Sequence, residues 1–544
     1  MPRATILFAD NDADFLNARA EFLEKAGYQV LRAYTLEQAR QQLSEARVHV
    51  AILDVRMEED DDPRDISGLV LAKDPAYRVI PKIILTGRAH EYEIVREALR
   101  ALPEGSPPAV DFVAKQEGPE VLIRAIGWAF AEHVRINWDL DIRFVEPQSF
   151  YGWARQISGR RVSDDQLLYE RAQEIEDLIR KAFYEHSKVL LDIILTDREG
   201  EVLAWARIQK SKEELIEEVA LLRCSTPGAI RAERDAYEEW NRHLPQEWIP
   251  RLSWVEGMHF AAVSYHLNSD IETADCLAEY FQWHQAAEFV RVLDDFVDKV
   301  GKSIYNQPCL QKQQQTLNEI YRERAGLTSD RVPEEVFQQA LAKVVEYIRL
   351  QHLVVVDFKP GREVVFHLKG DELVYPDPTL YVYKDAMLFT PPVFYRLTLG
   401  NMDGYNILVD RQGRIQLIDF AGIGPAPALS DFIALESKIR FDWVRTADLE
   451  MVYAFESQLS TIRPLKEPLE VTETGASDLD KALKVLARLR QLAAAFPWAD
   501  PLEYHFGILF QAARIIVSDA SLDCRAHALI GASMICRSLS TIEP

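Results

Sequence analysis

At 544 residues the chain is too long for one hydrophobic core and is expected to form roughly two to four domains. Its 48% hydrophobic and 27% charged content is that of ordinary folded protein, and a formal net charge of -24 repels a phosphate backbone, so nucleic-acid binding is excluded unless a basic stripe exists, and none does. The five cysteines, at 224, 276, 309, 524 and 536, form no CxxC pair, and no signal-peptide core or bilayer-length apolar run is present, which predicts free thiols, no membrane span and a cytoplasmic location.

From the N-terminus, the apolar runs ATILFA, YQVLRA, VHVAILDV, KIILTG and AVDFVAK alternate with amphipathic helical segments. Five strands with helices between them predict a flavodoxin-like (βα)5 domain over 1–132. The first helix, around ARAEFLEKAG, stops at Gly27. Residues 133–183 read as a helical linker whose amphipathic helix, 163–183, offers either a packed connector or a homodimer contact. Next, KVLLDIILTD and EVLAWARIQ read as a hairpin around REGE, AIRAERDAYEEWNRHL as a helix, and SWVEGMHFAAVSYHL as a strand pair. Helices dominate 272–350, with Pro333 in a first helical turn. A β-rich patch follows in LVVVDF, EVVFHL, LVYP and TLYVYK. Beyond Ser430 the chain reads as mostly helical.

In a doubly wound sheet, ligands bind where the strands finish. The first strand ends in Asp10-Asn11-Asp12, the third in Asp54, the fourth in Thr86-Gly87 and the fifth in Lys115. Carboxylates from separate strands can share Mg²⁺, and an aspartate held there can attack a phosphoryl donor whose charge the metal and a lysine neutralise. On these residues the segment resembles a response-regulator receiver domain. The resemblance implies Asp54 as phospho-acceptor and metal ligand, Asp10 as metal ligand, Thr86 as switch hydroxyl, Lys115 as partner of the phosphoryl oxygen, and a histidine kinase or phosphotransfer protein as partner. Asn11 departs from a usual second acid, and Gln116 from a usual proline. The acidic stretch 58–68 reads as a solvated loop.

Further on, LGNMDGYNILVD is followed by the strand-ending Asp419 of IQLIDF. Gly400, Asn406 and Asp419 resemble the loop HGDxxxxN and metal-binding aspartate of aminoglycoside and choline phosphotransferases, and more distantly of protein kinases. Leu399 replaces the His, and Asn401 replaces the catalytic Asp. An asparagine cannot accept a proton as a base at neutral pH, which leaves Asp403 as the alternative carboxylate. Asn406 and Asp419 form the implied metal pair, and Asp431 resembles the family's later structural acid. Upstream, FYEHSKVLL lacks the glycines of a phosphate loop. Arg207 in LAWARIQK stands where a nucleotide-binding lysine is expected, with Lys210 displaced from that position and Glu233 as its helix partner. More narrowly, the region resembles the kinase-like ternary-complex-associated domain of bacterial conflict systems.

The expected architecture is therefore α/β and multidomain. It comprises the receiver (1–132), the linker (133–183), a kinase-like N-lobe (184–285), a helical and β-rich insertion (286–385) and a mostly helical C-lobe (386–544). The expected function is two-component signalling, with Asp54 phosphorylation coupled to a degenerate, pseudokinase scaffold that engages downstream proteins. An active ATP·Mg²⁺-dependent phosphotransferase regulated by the receiver is the alternative. A DNA-binding regulator is disfavoured by the acidic balance.

Overall fold

The computed structural model describes residues 4–59, 62, 64–87, 96, 98–100, 107–159, 162, 164–194, 200–210, 217–267, 274–306, 315–351, 355–368, 371–384, 393–400, 402 and 404–542. The chain divides into two units, Met1–Ala232 with Arg251–Glu272, and Glu233–Pro250 with Thr273–Pro544.

The first unit opens with five parallel strands: β1 (Thr5–Ala9), β2 (Gln29–Ala33), β3 (Val50–Asp54), β4 (Lys82–Thr86) and β5 (Asp111–Ala114), in the order β2-β1-β3-β4-β5. Every residue of β1, β3 and β4 is buried, because helices cover both faces of the sheet. Alternation along β1 sends Ile6 and Phe8 into one core and Leu7 and Ala9 into the other. Asp12 caps the helix Ala13–Lys25 by accepting from Phe15 N at 3.0 Å. Gly27, with φ +98°, turns the chain into β2.

A second sheet follows within the same unit: β6 (Asp141–Phe144), β7 (Lys188–Ile194), β8 (Glu201–Gln209), β9 (Glu217–Ser225), β10 (Arg251–Glu256) and β11 (Ala261–His266), ordered β10-β11-β9-β8-β7-β6. The 133–183 segment is more than a helical linker. It supplies β6, parallel to β7, and its helices Phe150–Ser158 and Asp165–Ala182 bury Trp153, Ile175 and Leu178 in the sheet's core. That packing buries the helix's apolar face.

Buried charges bind the two sheets' domains together. The Arg47 guanidinium donates to both Asp177 oxygens at 2.6 and 2.5 Å. His49 Nδ1 accepts from Thr5 N (2.9 Å), so the ring proton sits on Nε2, 3.1 Å from Asp177 Oδ2. Nearby, Glu174 accepts from His259 N at 2.7 Å and lies 2.9 Å from His259 Nδ1. Burial raises the Glu174 pKa to about 7 against the opposing charge of Arg171.

Among the described residues the second unit holds three small antiparallel sheets. They are β12 (Ala274–Cys276) with β17 (Ile407–Asp410) and β18 (Ile415–Leu417); β13 (Val355–Lys359), β14 (Glu363–Leu368) and β15 (Asp371–Pro376); and β16 (Tyr395–Thr398) with β19 (Gly424–Pro427). The expected strand TLYVYK is instead the short helix Thr379–Val382, begun by buried Asp377 accepting from Thr379 N at 2.8 Å. The rest is mainly helical, including Ser430–Lys438, Leu449–Leu459, Ser477–Ala494, Pro501–Val517 and Leu522–Ser540.

At the centre of these helices lies an ionic network. Arg440, fully buried, donates to Glu456 Oε1 (2.8 Å), Glu436 Oε1 (3.1 Å) and Ser460 Oγ (2.7 Å). Arg490 makes a two-pronged contact with Glu436 at 2.9 and 2.6 Å, and Tyr504 and His527 complete the shells of Glu436 and Glu456. Each charge is paired and hydrogen-bonded, the condition under which buried charge is tolerated. No helix among the described residues is long and apolar enough to cross a membrane.

Candidate functional site: the carboxyl ends of the parallel sheet

The topology of the first sheet gathers the ends of β1, β3 and β5, and with them three charged side chains. Lys115 Nζ lies 3.0 Å from Asp10 Oδ1 and 2.9 Å from its Oδ2, and 3.1 Å from Asp54 Oδ2. Asp10 is fully buried and Asp54 nearly so. Burial raises the Asp10 pKa even though the Lys115 ammonium opposes it. For Lys115 burial works against the charge, but the Asp54 and Asp10 carboxylates prevail and raise its pKa. Thr86, also buried, is held beside the lysine through its carbonyl, which accepts from Lys115 N at 2.7 Å. The side chains of Asp10, Asp54 and Lys115 therefore meet in one place, with Thr86 at the end of the neighbouring strand β4.

An oxygen-rich pocket of this kind suits a hard divalent cation. Asn11 keeps an oxygen where an acid would add charge, and its Oδ1 is buried without a hydrogen-bond partner. Asp10, Asp54 and that amide oxygen are the groups that would hold Mg²⁺. Among the described residues no group of three or more His, Cys, Asp and Glu forms a metal cluster.

Two local features escaped the sequence reading. Gly68 donates to Val55 O at 3.0 Å, and a Cβ there would fall 1.7 Å from the Asp54 carbonyl oxygen, so only glycine lets the chain pass so close behind the acceptor. The acidic stretch 58–68 is organised by Asp65, which accepts from Glu58 N (3.0 Å), Glu59 N (2.9 Å) and Ser67 N (2.8 Å). Residues 60, 61 and 63 of it lie outside the described residues. No cis peptide occurs among the described residues; Gln116, in place of a proline, donates from Nε2 to Gly87 O at 3.2 Å.

Compared with known protein families, residues 6–127 match the response regulator receiver domain. Residues 6–127 are a receiver domain. Solved structures similar to this receiver domain include a CheY-like receiver domain protein from Methanospirillum hungatei JF-1, at 24% identity and TM-score 0.20, covering 24% of this chain and 95% of that one. A putative response regulator from Chloroflexus aurantiacus J-10-fl is 24% identical with TM-score 0.19, covering 24% and 98%. Over a longer span, a thermostable mutant of aminoglycoside phosphotransferase APH(4)-Ia, solved with ADP and hygromycin B, is 13% identical with TM-score 0.34, covering 67% of this chain and 98% of that one. No curated protein matches the chain.

The loop of the second predicted site falls in the second unit. Asn401 and Asp403 lie outside the described residues. Around them, Asp431 accepts from Leu399 N (2.8 Å), Gly400 N (2.9 Å) and Tyr305 Oη (2.9 Å). Gly400 has φ +79°, and a Cβ on it would meet Gly422 O at 1.9 Å. Asn406 and Asp419 flank β17 and β18, whose pairing continues in a bond from Ile418 N to Asn406 O at 3.0 Å. Asn406 Oδ1 is buried and has no partner. Asp419 sits in the left-handed region at φ 58°, a conformation that costs a non-glycine residue about 1–2 kcal/mol.

Glu233, in the helix Pro227–Trp240, is fully buried and accepts from Phe420 N at 3.2 Å. Arg207 lies exposed on β8, and the strand directly before the helix is β9, which carries the buried Arg223 paired with Glu201 Oε2 at 2.7 Å. The expected hairpin of β7 and β8 is present; Gly200, with φ +79°, lies between the two strands, and FYEHSKVLL runs from the end of the preceding helix into β7.

Proposed function

We propose that the chain is a two-component signalling protein whose receiver domain accepts a phosphoryl group on Asp54 from a histidine kinase or phosphotransfer protein. The observation that carries this reading is Lys115 Nζ within 3.1 Å of both Asp54 and Asp10 at the sheet's carboxyl edge. In the transfer, a carboxylate oxygen of Asp54 forms the new bond to phosphorus while the donor's bond to phosphorus breaks. Lys115 neutralises an oxygen of the transferred group, and Thr86 offers its hydroxyl to another. A Mg²⁺ held by Asp10, Asp54 and Asn11 would supply further neutralisation. Incubation with acetyl phosphate and Mg²⁺ followed by intact mass measurement tests this. One added phosphoryl group is expected on the wild type and none on Asp54→Ala; no addition on the wild type would refute the assignment.

The second unit is read as a kinase-like module that binds rather than catalyses. The motivation is the orphaned Asn406 oxygen beside strained Asp419, a pair suited to a nucleotide-bound Mg²⁺, combined with Asn401 at the base position. On this reading its output is the recruitment of downstream proteins. Thermal stabilisation by ATP·Mg²⁺ without turnover, lost in Asp419→Ala, is expected. Turnover that disappears in Asp419→Ala would instead establish an active phosphotransferase.

A further inference from the structure

Within the first unit, a solvent-open pocket of about 460 Å³ lies among the receiver's exit residues His133 and Arg135, residues 181–186, strand β10 and the end of β11. That volume is in the range of about 300–1,000 Å³ typical of small-molecule sites, and neither proposed phosphate-handling site includes any of its residues. Its lining includes His186 and His266, which are only 9% and 8% exposed. Their rings lie nearly parallel at 21°, with centroids 6.4 Å apart, and the Nδ1 atom of each is buried with no hydrogen-bond partner. Two unmet nitrogens side by side are a cost that folding alone leaves uncompensated.

Arg135 adds an independent mark. It is held in the left-handed region at φ 49° with its guanidinium 5.1 Å over the Tyr184 ring, one of two non-glycine residues so placed among the described residues. Strain of this kind persists where the surroundings impose it, often at ligand sites. The lining's charge is predominantly positive, from Arg135, Lys181 and Arg251, beside the histidines. Of the two acids in the lining, Glu256 is occupied by Arg78 at 3.2 Å and Arg231 at 3.6 Å, which leaves Glu185. Among the described residues Arg251 pairs loosely with the exposed Glu218 at 3.8 Å.

We infer that this pocket binds a small multivalent oxyanion, gripped by Arg135 and Arg251, with His186 and His266 supplying further N–H donors. Burial, Arg251 and His186 hold the His266 pKa down to about 4, against the pull of Glu218. Burial likewise lowers that of His186, with Lys210 and Arg251 adding to the effect and Glu218 and Glu185 opposing it. Both rings are therefore neutral in the empty pocket near neutral pH. An anion reverses the local field, so its arrival draws protons onto them and turns an orphan Nδ1 into a donor.

Isothermal titration of the full-length protein without divalent metal, at constant ionic strength, tests the inference with two probes, inorganic pyrophosphate and citrate. Saturable binding of at least one is expected, with net proton uptake between about pH 6 and 8, read from buffers of different ionisation enthalpy. Tight binding of pyrophosphate alone would assign phosphate chemistry to the ligand, and of citrate alone carboxylate chemistry. The double variant Arg135→Gln/Arg251→Gln should bind about tenfold or more weakly. His266→Phe, which keeps an aromatic ring beside Phe183, should take up fewer protons on binding than the wild type. Asp54→Ala and Asp419→Ala should bind as the wild type does. Heats no larger than a chloride control for both probes, unchanged affinity in the double variant, or loss of binding in Asp54→Ala or Asp419→Ala would overturn it.

Discussion

Asp54 owes its chemistry to neighbours that are distant in sequence. Lys115 is held between two carboxylates, so replacing it leaves Asp10 and Asp54 to repel each other in a buried site. Lys115→Gln is expected to slow phosphorylation by acetyl phosphate by about 10²-fold or more, while Asp54 still becomes modified at long times; time-resolved intact mass would measure this. Gly68 acts through the backbone. Its absent side chain lets the Asp54 carbonyl pass, so Gly68→Ala must push the loop off β3 at a cost of about 1–3 kcal/mol. Urea unfolding followed by circular dichroism should register that loss, and wild-type stability in the variant would show that the loop yields freely.

At the scale of elements, the loop after β16 is pinned by one side chain. Asp431 accepts two successive backbone N–H groups and the Tyr305 hydroxyl. An amide there keeps one acceptor and turns donors toward donors, so Asp431→Asn should cost about 1–3 kcal/mol and expose the loop to proteolysis, which limited digestion would detect. The helices beyond depend in the same way on Arg440. Removing it takes the only guanidinium described at Glu456 and leaves Glu436 to Arg490 alone, so Arg440→Ala is expected to destabilise the second unit by about 3–5 kcal/mol. Replacing Arg440 by Met should be nearly as harmful, because the charges it leaves behind remain. The sequence displayed these residues only as ordinary helical positions, since the partners Arg440, Glu456, Arg490 and His527 are on different helices.

Across the whole molecule, buried carboxylates set opposing pH dependences. Burial alone would raise the pKa values of Asp177, Glu436 and Glu456, but their histidine and arginine partners bring all three down to about 2. Below the ordinary range near 4 the unfolded chain binds more protons at these sites, so this contribution is complete above about pH 4 and is lost as pH falls toward 2. Glu503 is the reverse case. Burial raises it to about 7 despite the hydrogen bond from Tyr321, so the folded state holds the extra proton and stability declines as pH rises from about 4 through 7. Calorimetry should find the melting temperature highest in mildly acid solution, and Glu503→Gln should flatten the decline between pH 5 and 7.

The sequence determined the receiver domain almost in full. Parallel strands buried on both faces appear as short continuous apolar runs, and each candidate site residue stands at the end of such a run, so the positions of Asp10, Asp54, Thr86 and Lys115 were legible together. It also determined the hairpins of β7 with β8 and β17 with β18, because alternation and a turn are local signals. The tertiary structure alone decided what depended on packing. EEVALLRCS is a short apolar stretch without a strong period, and only pairing between β8 and β11 makes it β9. Residues 133–183 read as a linker because β6 has no core of its own and becomes a strand only beside β7. The ion pair of Arg47 and Asp177, the clamp at Asp431 and the orphan nitrogens of His186 and His266 share one cause. Each exists only once segments far apart in the chain exclude water from the same volume, and no local pattern in the sequence records that exclusion.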